Sequence, residues 1–307
     1  MRLTLLAILL SGCGGASPPA IAMHGGSWML PETKSGSLVY ADSATTTDDY
    51  VFSYPNGKLV GTIVSDTLVQ EGLCSDRKGN VFIVGLQSTG TGLGVINEYA
   101  HGATIPIQTL DEDGVWPYGC AVDPKTGDLA VASVNWVSAS SYLDVYQNAR
   151  GAPHEYYDPA IINYEFCGYD DNGNLFVDGT GAGSQIRFAE LPRGGSSFVN
   201  FTLRKSIDIY HAAQVQWDGT HMTIEDSTKR AIYRLHFSGT LARVVGATHL
   251  RRWNVDALSW IQGDVALAPT GKRVPAIGIW QYPLGGRPIA KIATPTAVRS
   301  ATISAAP

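Results

Sequence analysis

The chain has 307 residues, of which 44% are hydrophobic and 16% charged, with 34 Gly, 16 Pro and a formal net charge of −5. This apolar content is sufficient for a packed core, and the many Gly and Pro residues are typical of an all-β chain with short strands. The negative net charge and the scattered Lys and Arg residues exclude a basic stripe for phosphates, so we expect no nucleic-acid partner.

Residues 1–12 are predicted to be a signal peptide. Arg2 precedes an eight-residue apolar run at residues 3–10, and the sequence LSGC ends at Cys13. The run is too short to span a bilayer, which needs about 20 residues, but it fits a targeting signal. The segment resembles a bacterial lipoprotein signal, which implies cleavage before Cys13 and a lipid on that cysteine. The alternative is an ordinary secretory signal with a chance cysteine.

Residues 13–27 predict a flexible, lipidated tether, because their Gly, Ser, Pro and Ala content cannot bury enough surface to fold. Gly14 follows Cys13. In lipoproteins resembling this one, a residue other than Asp at that position favours the outer membrane. We therefore expect a protein of the bacterial cell envelope, at the outer membrane or the cell surface, that touches the membrane only through its lipid.

Residues 28–307 contain six copies of one unit. A Gly that opens a strand is followed 18 to 20 residues later by an aromatic residue or Leu that leads into a tight turn. The first element falls at Gly36, Gly79, Gly127, Gly173, Gly219 and Gly263, and the second at Tyr54, Tyr99, Tyr146, Leu191, Phe237 and Tyr282. This period of 43 to 48 residues predicts a six-bladed β-propeller with four-stranded antiparallel blades.

Units three and four show the predicted strands most clearly. In unit three they cover residues 118–122 and 128–133, then a strand ending at Tyr146, then 154–157; in unit four they cover 166–169, 174–178, 186–191 and 198–203. Asp and Gly between the first two strands indicate a turn, since Asp bonds its own backbone and Gly accepts a positive φ.

Residues 225–235, which read EDSTKRAIYRL, resemble the Asp-Ser-x-x-x-Arg-x-apolar core of NHL-type propeller repeats, and YADS at residues 40–43 is a weaker copy. The resemblance covers residues 29–307 as a fold and implies no activity. The tail at residues 297–304 aligns with the first strand at 116–122. We therefore predict that the C-terminal strand pairs into the first blade and closes the ring; the alternative is that residues 28–30 supply this strand.

Three cysteines follow the signal region, namely Cys74, Cys120 and Cys167. Each lies two or three residues before the Asp that ends a first strand, and we assign all three to one equivalent position near the axis, where a small apolar residue fits. An odd number allows at most one internal disulfide, and the sequence does not decide whether a pair forms.

The mouth of the central channel is the predicted binding site, because loops on a rigid scaffold collect binding residues. The candidate ligand-binding residues in or beside these loops are Glu71, Trp116, Tyr118, Glu165, His211, Trp253 and Asp256. Aromatic anchors of this kind fit a small molecule, a glycan or a protein partner, and they also fit packing across the blades. We expect a monomer.

Chemistry at this mouth is the alternative. Glu71, Glu165 and Asp256, with Asn135, resemble the acidic metal set of six-bladed lactonases and related hydrolases, and carboxylates suit a hard cation such as Ca²⁺. The competing interpretation is that they are solvated acids several ångströms apart. His211 has two interpretations: it is a general base, or it is an ordinary packing or surface residue. The chain contains no contiguous catalytic motif and identifies no catalytic residue or cofactor, so a binding module is the leading hypothesis and a metal-dependent hydrolase the alternative.

Overall fold

The computed structural model describes residues 28–29, 36–64, 67–87, 93–112, 115–135, 141–204, 209, 213–254, 257–271 and 274–306. The predicted signal peptide and the tether with Cys13 lie outside these residues. Two short 3-10 turns occur at Gln147–Ala149 and Ala182–Ser184. Among the described residues, no helix is long and apolar enough to cross a membrane.

The regular structure of the described residues consists mainly of strands. In chain order they are β1 (Trp28–Met29), β2 (Leu38–Ser43), β3 (Asp48–Ser53), β4 (Leu59–Val64), β5 (Thr67–Ser75), β6 (Val81–Gln87), β7 (Gly94–Tyr99), β8 (Gln108–Glu112), β9 (Trp116–Val122), β10 (Leu129–Val134), β11 (Leu143–Tyr146), β12 (His154–Tyr156), β13 (Asn163–Tyr169), β14 (Leu175–Thr180), β15 (Ile186–Leu191), β16 (Val199–Leu203), β17 (Val215–Trp217), β18 (Met222–Asp226), β19 (Ala231–Ser238), β20 (Leu241–His249), β21 (Trp260–Gln262), β22 (Val265–Thr270), β23 (Ala276–Gln281), β24 (Ala290–Ala293) and β25 (Val298–Ser304).

These strands form antiparallel groups of four, which are the blades of a propeller. Blade 1 contains β25, β2, β3 and β4; blades 2 to 6 contain β5–β8, β9–β12, β13–β16, β17–β20 and β21–β24. The outer strands of blades 4 and 5 also pair in parallel, with Thr202 opposite Leu241. The predicted strands of units three and four are confirmed, and β15 has the predicted bounds.

The second strand of a blade is covered on both faces. All six residues of β2 and all six of β10 are buried, as are all five of β18. Each blade packs against two neighbours, so these strands are buried on both faces, without the alternation of a half-exposed strand. Aromatic packing fills the contact between blades 4 and 5, where Phe188 and Phe237 stack with ring centroids 6.0 Å apart.

The turn between the first two strands depends on Asp and Gly. In blade 2, Asp76 Oδ1 accepts the backbone N–H groups of Lys78 and Asn80, both at 2.8 Å, and Gly79 has a φ of +84°. This φ lies in the left-handed region that glycine adopts without steric cost. The recurring Asp and Gly of the sequence are therefore explained by blade geometry.

The C-terminal strand closes the first blade, as predicted. β25 pairs antiparallel with β2, from Leu38 opposite Ser304 to Ser43 opposite Val298. The tail also reaches blade 2, where Ser75 Oγ donates to the carbonyl of Ile303 at 2.8 Å. Trp28 pairs instead with Thr62 of the outer strand β4, so β1 lies at the far edge of this blade and does not supply its inner strand.

Cys74 and Cys120 form a disulfide between the inner strands of blades 2 and 3, with their Cα atoms 5.7 Å apart, while Cys167 is free and buried. The predicted common position of the three cysteines is wrong for Cys74. Cys120 and Cys167 pair with the third residue of their second strands, but Cys74 pairs with Phe82, the second residue of β6. A shift of one residue turns a side chain to the opposite face, which directs Cys74 towards Cys120.

We expect the double variant Cys74→Ser/Cys120→Ser to lose about 4 kcal/mol of unfolding free energy, because the bond closes a loop of 46 residues in the unfolded chain. Urea unfolding, with and without reductant, measures this loss. Cys167→Ala is the matched control, since it removes a buried thiol and leaves the disulfide intact. Equal midpoints for the oxidised and reduced wild type would contradict the prediction.

Candidate functional site

Three inner strands carry a β-bulge at the same level, near the end of the channel where these strands begin. The pairing skips Glu71 in β5, Tyr118 in β9 and Glu165 in β13. A bulge leaves one residue unpaired and changes the direction of its side chain. These three residues lie at equivalent positions on consecutive blades, and we call the end of the channel that they mark the upper mouth.

Glu71 is buried and forms an ion pair with Arg299, which comes from the closing strand β25. The backbone carbonyl of Arg299 also accepts the N–H of Leu258 from blade 6 at 3.0 Å. Arg299 thus connects blade 1 with both of its neighbours at the upper mouth. Arg299 was not among the predicted site residues, although the tail that contains it was aligned with the strand at 116–122.

Glu165 and Glu225, from blades 4 and 5, both lie close enough to Asp178 for their charges to act on it. Burial raises the pKa of Glu165 to about 7, against the effect of a hydrogen bond with Thr180. Burial, followed by the charge of Glu165, also raises the pKa of Asp178 well above its usual range. Burial raises the pKa of Glu225 to about 8, while its hydrogen bonds with Ser259 oppose the shift. These carboxyl groups therefore retain protons near neutral pH.

Asp178 and Glu225 are the fourth residues of their strands and join adjacent blades. Asp178 accepts the N–H of Ala213 at 3.2 Å, and Glu225 accepts the N–H of Ser259 at 3.1 Å. Sequence reasoning missed both residues; the available signal was a carboxylate inside a predicted second strand. Their contacts identify them as connections between blades.

The NHL-like Asp residues are also structural. Asp42 is fully buried and accepts the N–H of Ser300 at 2.5 Å, and burial raises its pKa to about 6. Asp49 lies directly opposite on β3, and burial, followed by the charge of Asp42, raises its pKa well above the usual range. The equivalent Asp226 is fully buried with one oxygen 3.6 Å from Lys229 Nζ. This part of the resemblance therefore describes blade packing.

Of the remaining predicted site residues, the structure describes Trp116 and Trp253. Trp116 is half-buried at the start of β9. Trp253 is fully buried, and its Nε1 donates to the carbonyl of Ala257 at 3.0 Å, so its ring belongs to the core and is not accessible to a ligand. His211 and Asp256 lie outside the described residues.

No group of three or more His, Cys, Asp and Glu side chains is placed to hold a metal ion within the part of the chain that the structure describes. The predicted set includes Asp256, so it is described only in part. The ion pair with Arg299 already balances the charge of Glu71. The Ca²⁺ site therefore stays a prediction.

No protein-family model matches the chain, and no curated protein matches it. A chain in the crystal structure of a nidogen/laminin complex aligns with a TM-score of 0.68 and 11% identity, over 88% of this chain and 99% of that chain. TolB from Acinetobacter baumannii aligns with a TM-score of 0.59 and 13% identity, over 90% of this chain and 68% of that chain. The WD40 repeats of RRP9 align with a TM-score of 0.54 and 11% identity, over 83% and 75%. These likenesses show a β-propeller fold and no particular activity.

We expect the protein to be more stable at about pH 5 than at about pH 8, because buried carboxyl groups have higher pKa values folded than unfolded. The folded pKa values are about 6 for Asp42, 7 for Glu165, 8 for Glu225 and 9 for Asp144. The unfolded values lie near 4, so the folded state binds more protons above about pH 4 and stability falls as pH rises through the folded values.

Thermal unfolding across this pH range tests the expectation, and a midpoint several degrees higher at the acidic end is the expected result. In Glu225→Gln one of the titrating groups is absent, so the difference between the two pH values should become smaller. A wild-type midpoint that rises steadily towards pH 8 would contradict the prediction.

Proposed function

We propose that this protein is a lipid-anchored propeller outside the cytoplasm that binds a small molecule, a glycan or a protein partner at the upper mouth. The observation that carries the proposal is the set of equivalent bulges at Glu71, Tyr118 and Glu165. They place an ion-paired carboxylate, an aromatic side chain and a carboxyl with a pKa of about 7 on neighbouring inner strands. A rigid ring with varied side chains at one end of its channel suits recognition.

We infer further that the ring has six blades. The described strands fall into six antiparallel groups of four once β25 is counted with β2, β3 and β4. Each of the six repeats in the sequence supplies one of these groups. A ring of this size is supported by the alignment of 99% of the nidogen/laminin chain with 88% of this chain.

The proposed location is supported by two independent features. The disulfide between Cys74 and Cys120 suits an oxidising compartment, since cytosolic thiols are kept reduced. The resemblance of residues 1–13 to a lipoprotein signal gives the same location from the sequence. Both features favour export, and the resemblance adds the lipid anchor.

A hydrolase is the second candidate, and one observation favours it. A carboxyl with a pKa of about 7, as at Glu165, matches the range in which a side chain donates and accepts protons efficiently near neutral pH. Such a group at the mouth of a channel fits a general acid or base. The metal-dependent form of this reaction would also need a contribution from Asp256.

The anchor is tested by Cys13→Ala in a bacterial host that processes lipoproteins. We expect the wild type to fractionate with membranes and to incorporate labelled palmitate, because Cys13 is the proposed lipid attachment site. The variant should lose the label and leave the membrane fraction. Equal membrane association of the two proteins, with no label in either, would contradict the anchor.

The upper mouth is tested by screening small molecules, glycans and lactone substrates against the purified wild type by thermal shift and by turnover. At least one ligand of the wild type should bind Tyr118→Ala at least about tenfold more weakly, a loss of about 1.4 kcal/mol. Lys291→Ala, on the exposed outer strand β24, is the matched control and should bind normally. Turnover that Glu165→Gln abolishes would favour the hydrolase. The upper mouth would be contradicted if none of the ligands found bound Tyr118→Ala or Glu165→Gln more weakly than the wild type.

A further inference from the structure

A second concave region lies at the opposite end of the channel, where the inner strands end and turn into the second strands. A cavity of about 350 Å³ adjoins a larger one of about 870 Å³ that extends between blades 2 and 3. We call the two together the lower bowl. The residues that line both cavities are Ser75, Arg77, Val122, Pro124, Trp260 and Gln262. Both volumes fall in the range of small-molecule sites, about 300–1,000 Å³.

The smaller cavity combines aromatic walls with an accessible charged pair. Trp217 and Trp260 line it, and Trp217 Nε1 donates to Asp171 Oδ2 at 2.9 Å. Asp171 Oδ1 lies 3.8 Å from Arg77 Nη2, with the two side chains 57% and 70% exposed. Arg77 belongs to the turn of blade 2 and Asp171 to that of blade 4, so this contact spans the bowl. Both charged groups are open to a ligand while Trp217 is held against one of them.

The larger cavity contains the carboxylate of Glu98, of which only one oxygen accepts a hydrogen bond from the described residues. Glu98 lines the cavity and is 6% exposed. Its Oε1 accepts a hydrogen bond from Asn80 Nδ2 at 2.9 Å. Its Oε2 is buried and has no hydrogen-bond partner among the described residues. A buried carboxylate oxygen without a donor is costly, and a donor supplied by a ligand would satisfy it.

The charges around the lower bowl nearly balance. Its cations are Arg77, Lys78, Lys125 and Arg150, and its acids are Asp76, Glu98, Asp123, Asp171 and Asp218. Several of these acids are engaged within turns; Asp123, for example, accepts from the N–H of Lys125 and the hydroxyl of Thr126. A near-neutral surface with charged, planar groups favours a ligand that is rich in hydroxyl groups over one with a large net charge of either sign.

We propose that the lower bowl binds a neutral oligosaccharide. The C–H face of a sugar ring is apolar and packs on an aromatic ring such as that of Trp217, which is half-buried, while hydroxyl groups at its edge bond to planar charged groups. Arg77 and Asp171 supply such groups at the channel axis, and Glu98 supplies an acceptor in the groove between blades 2 and 3. The site is separate from the upper mouth and does not depend on ligand binding there.

Calorimetry on the full chain in detergent, with cellobiose, maltotriose and N,N′-diacetylchitobiose as probes, tests the proposal, and tryptophan fluorescence gives a second readout. At least one probe should give saturable heat and a fluorescence change. Arg77→Ala and Asp171→Asn, both at exposed turn positions, should weaken its binding about tenfold or more, about 1.4 kcal/mol. Arg243→Ala, at an exposed position of the outer strand β20, is the matched control and should bind normally.

Tyr118→Ala separates the two proposals, because it changes the upper mouth and leaves the lower bowl intact. Oligosaccharide binding that persists in this variant supports the lower bowl. Binding that Tyr118→Ala removes, while Arg77→Ala and Asp171→Asn retain it, would overturn the proposal in favour of the upper mouth. Absence of binding by every neutral probe, or tighter binding of a sulfated disaccharide than of its neutral counterpart, would also overturn it.

Discussion

The structure depends on closing the ring between the two ends of the chain. A blade is buried on both faces, as the fully buried strands β2 and β10 show, so each blade needs a neighbour on either side. The pairing of β25 with β2 meets this requirement for the first blade. The same strand places Arg299 against Glu71 of the next blade and accepts a hydrogen bond from Leu258 of the last one. The strand β25 therefore both closes the ring and forms part of the channel wall.

The fold could be predicted because its signals are local and repeated. The turn between the first two strands needs an Asp that bonds its own backbone and a Gly that accepts a positive φ, as at Asp76 and Gly79. Both residues recur at fixed distances in the sequence, so the turns can be located from the sequence alone. Because the unit occurs six times, comparison of its copies identifies strands that one copy alone would leave ambiguous. This comparison predicted the bounds of β15 correctly. The closing strand was predictable for the same reason, since the tail has the pattern of an inner strand.

The contacts between blades could not be predicted in this way, because they depend on register and on residues far apart in the chain. Cys74 and Cys120 meet only because one of them is shifted by a single residue, which a loose alignment treats as equivalent. The sequence places Trp253 in a predicted loop, where an aromatic residue is a candidate for ligand binding, but the folded blades bury it completely. The hydrogen bonds from Ala213 to Asp178 and from Ser259 to Glu225 span 35 and 34 residues. The spacing of residues in the sequence does not reveal which of these distant residues come into contact.

The two ends of the channel differ for a physical reason. At the upper mouth, bulges direct side chains inward, where they pair with one another or retain protons, as Glu71 does with Arg299 and Glu165 through its raised pKa. At the lower bowl, tight turns end the inner strands and leave Arg77 and Asp171 exposed. β1 pairs antiparallel with β4, and Trp28 lies opposite Thr62, near the end of β4 that leads to the upper mouth. A lipid-anchored chain would therefore join the ring from that side, which leaves the lower bowl on the side facing away from the junction.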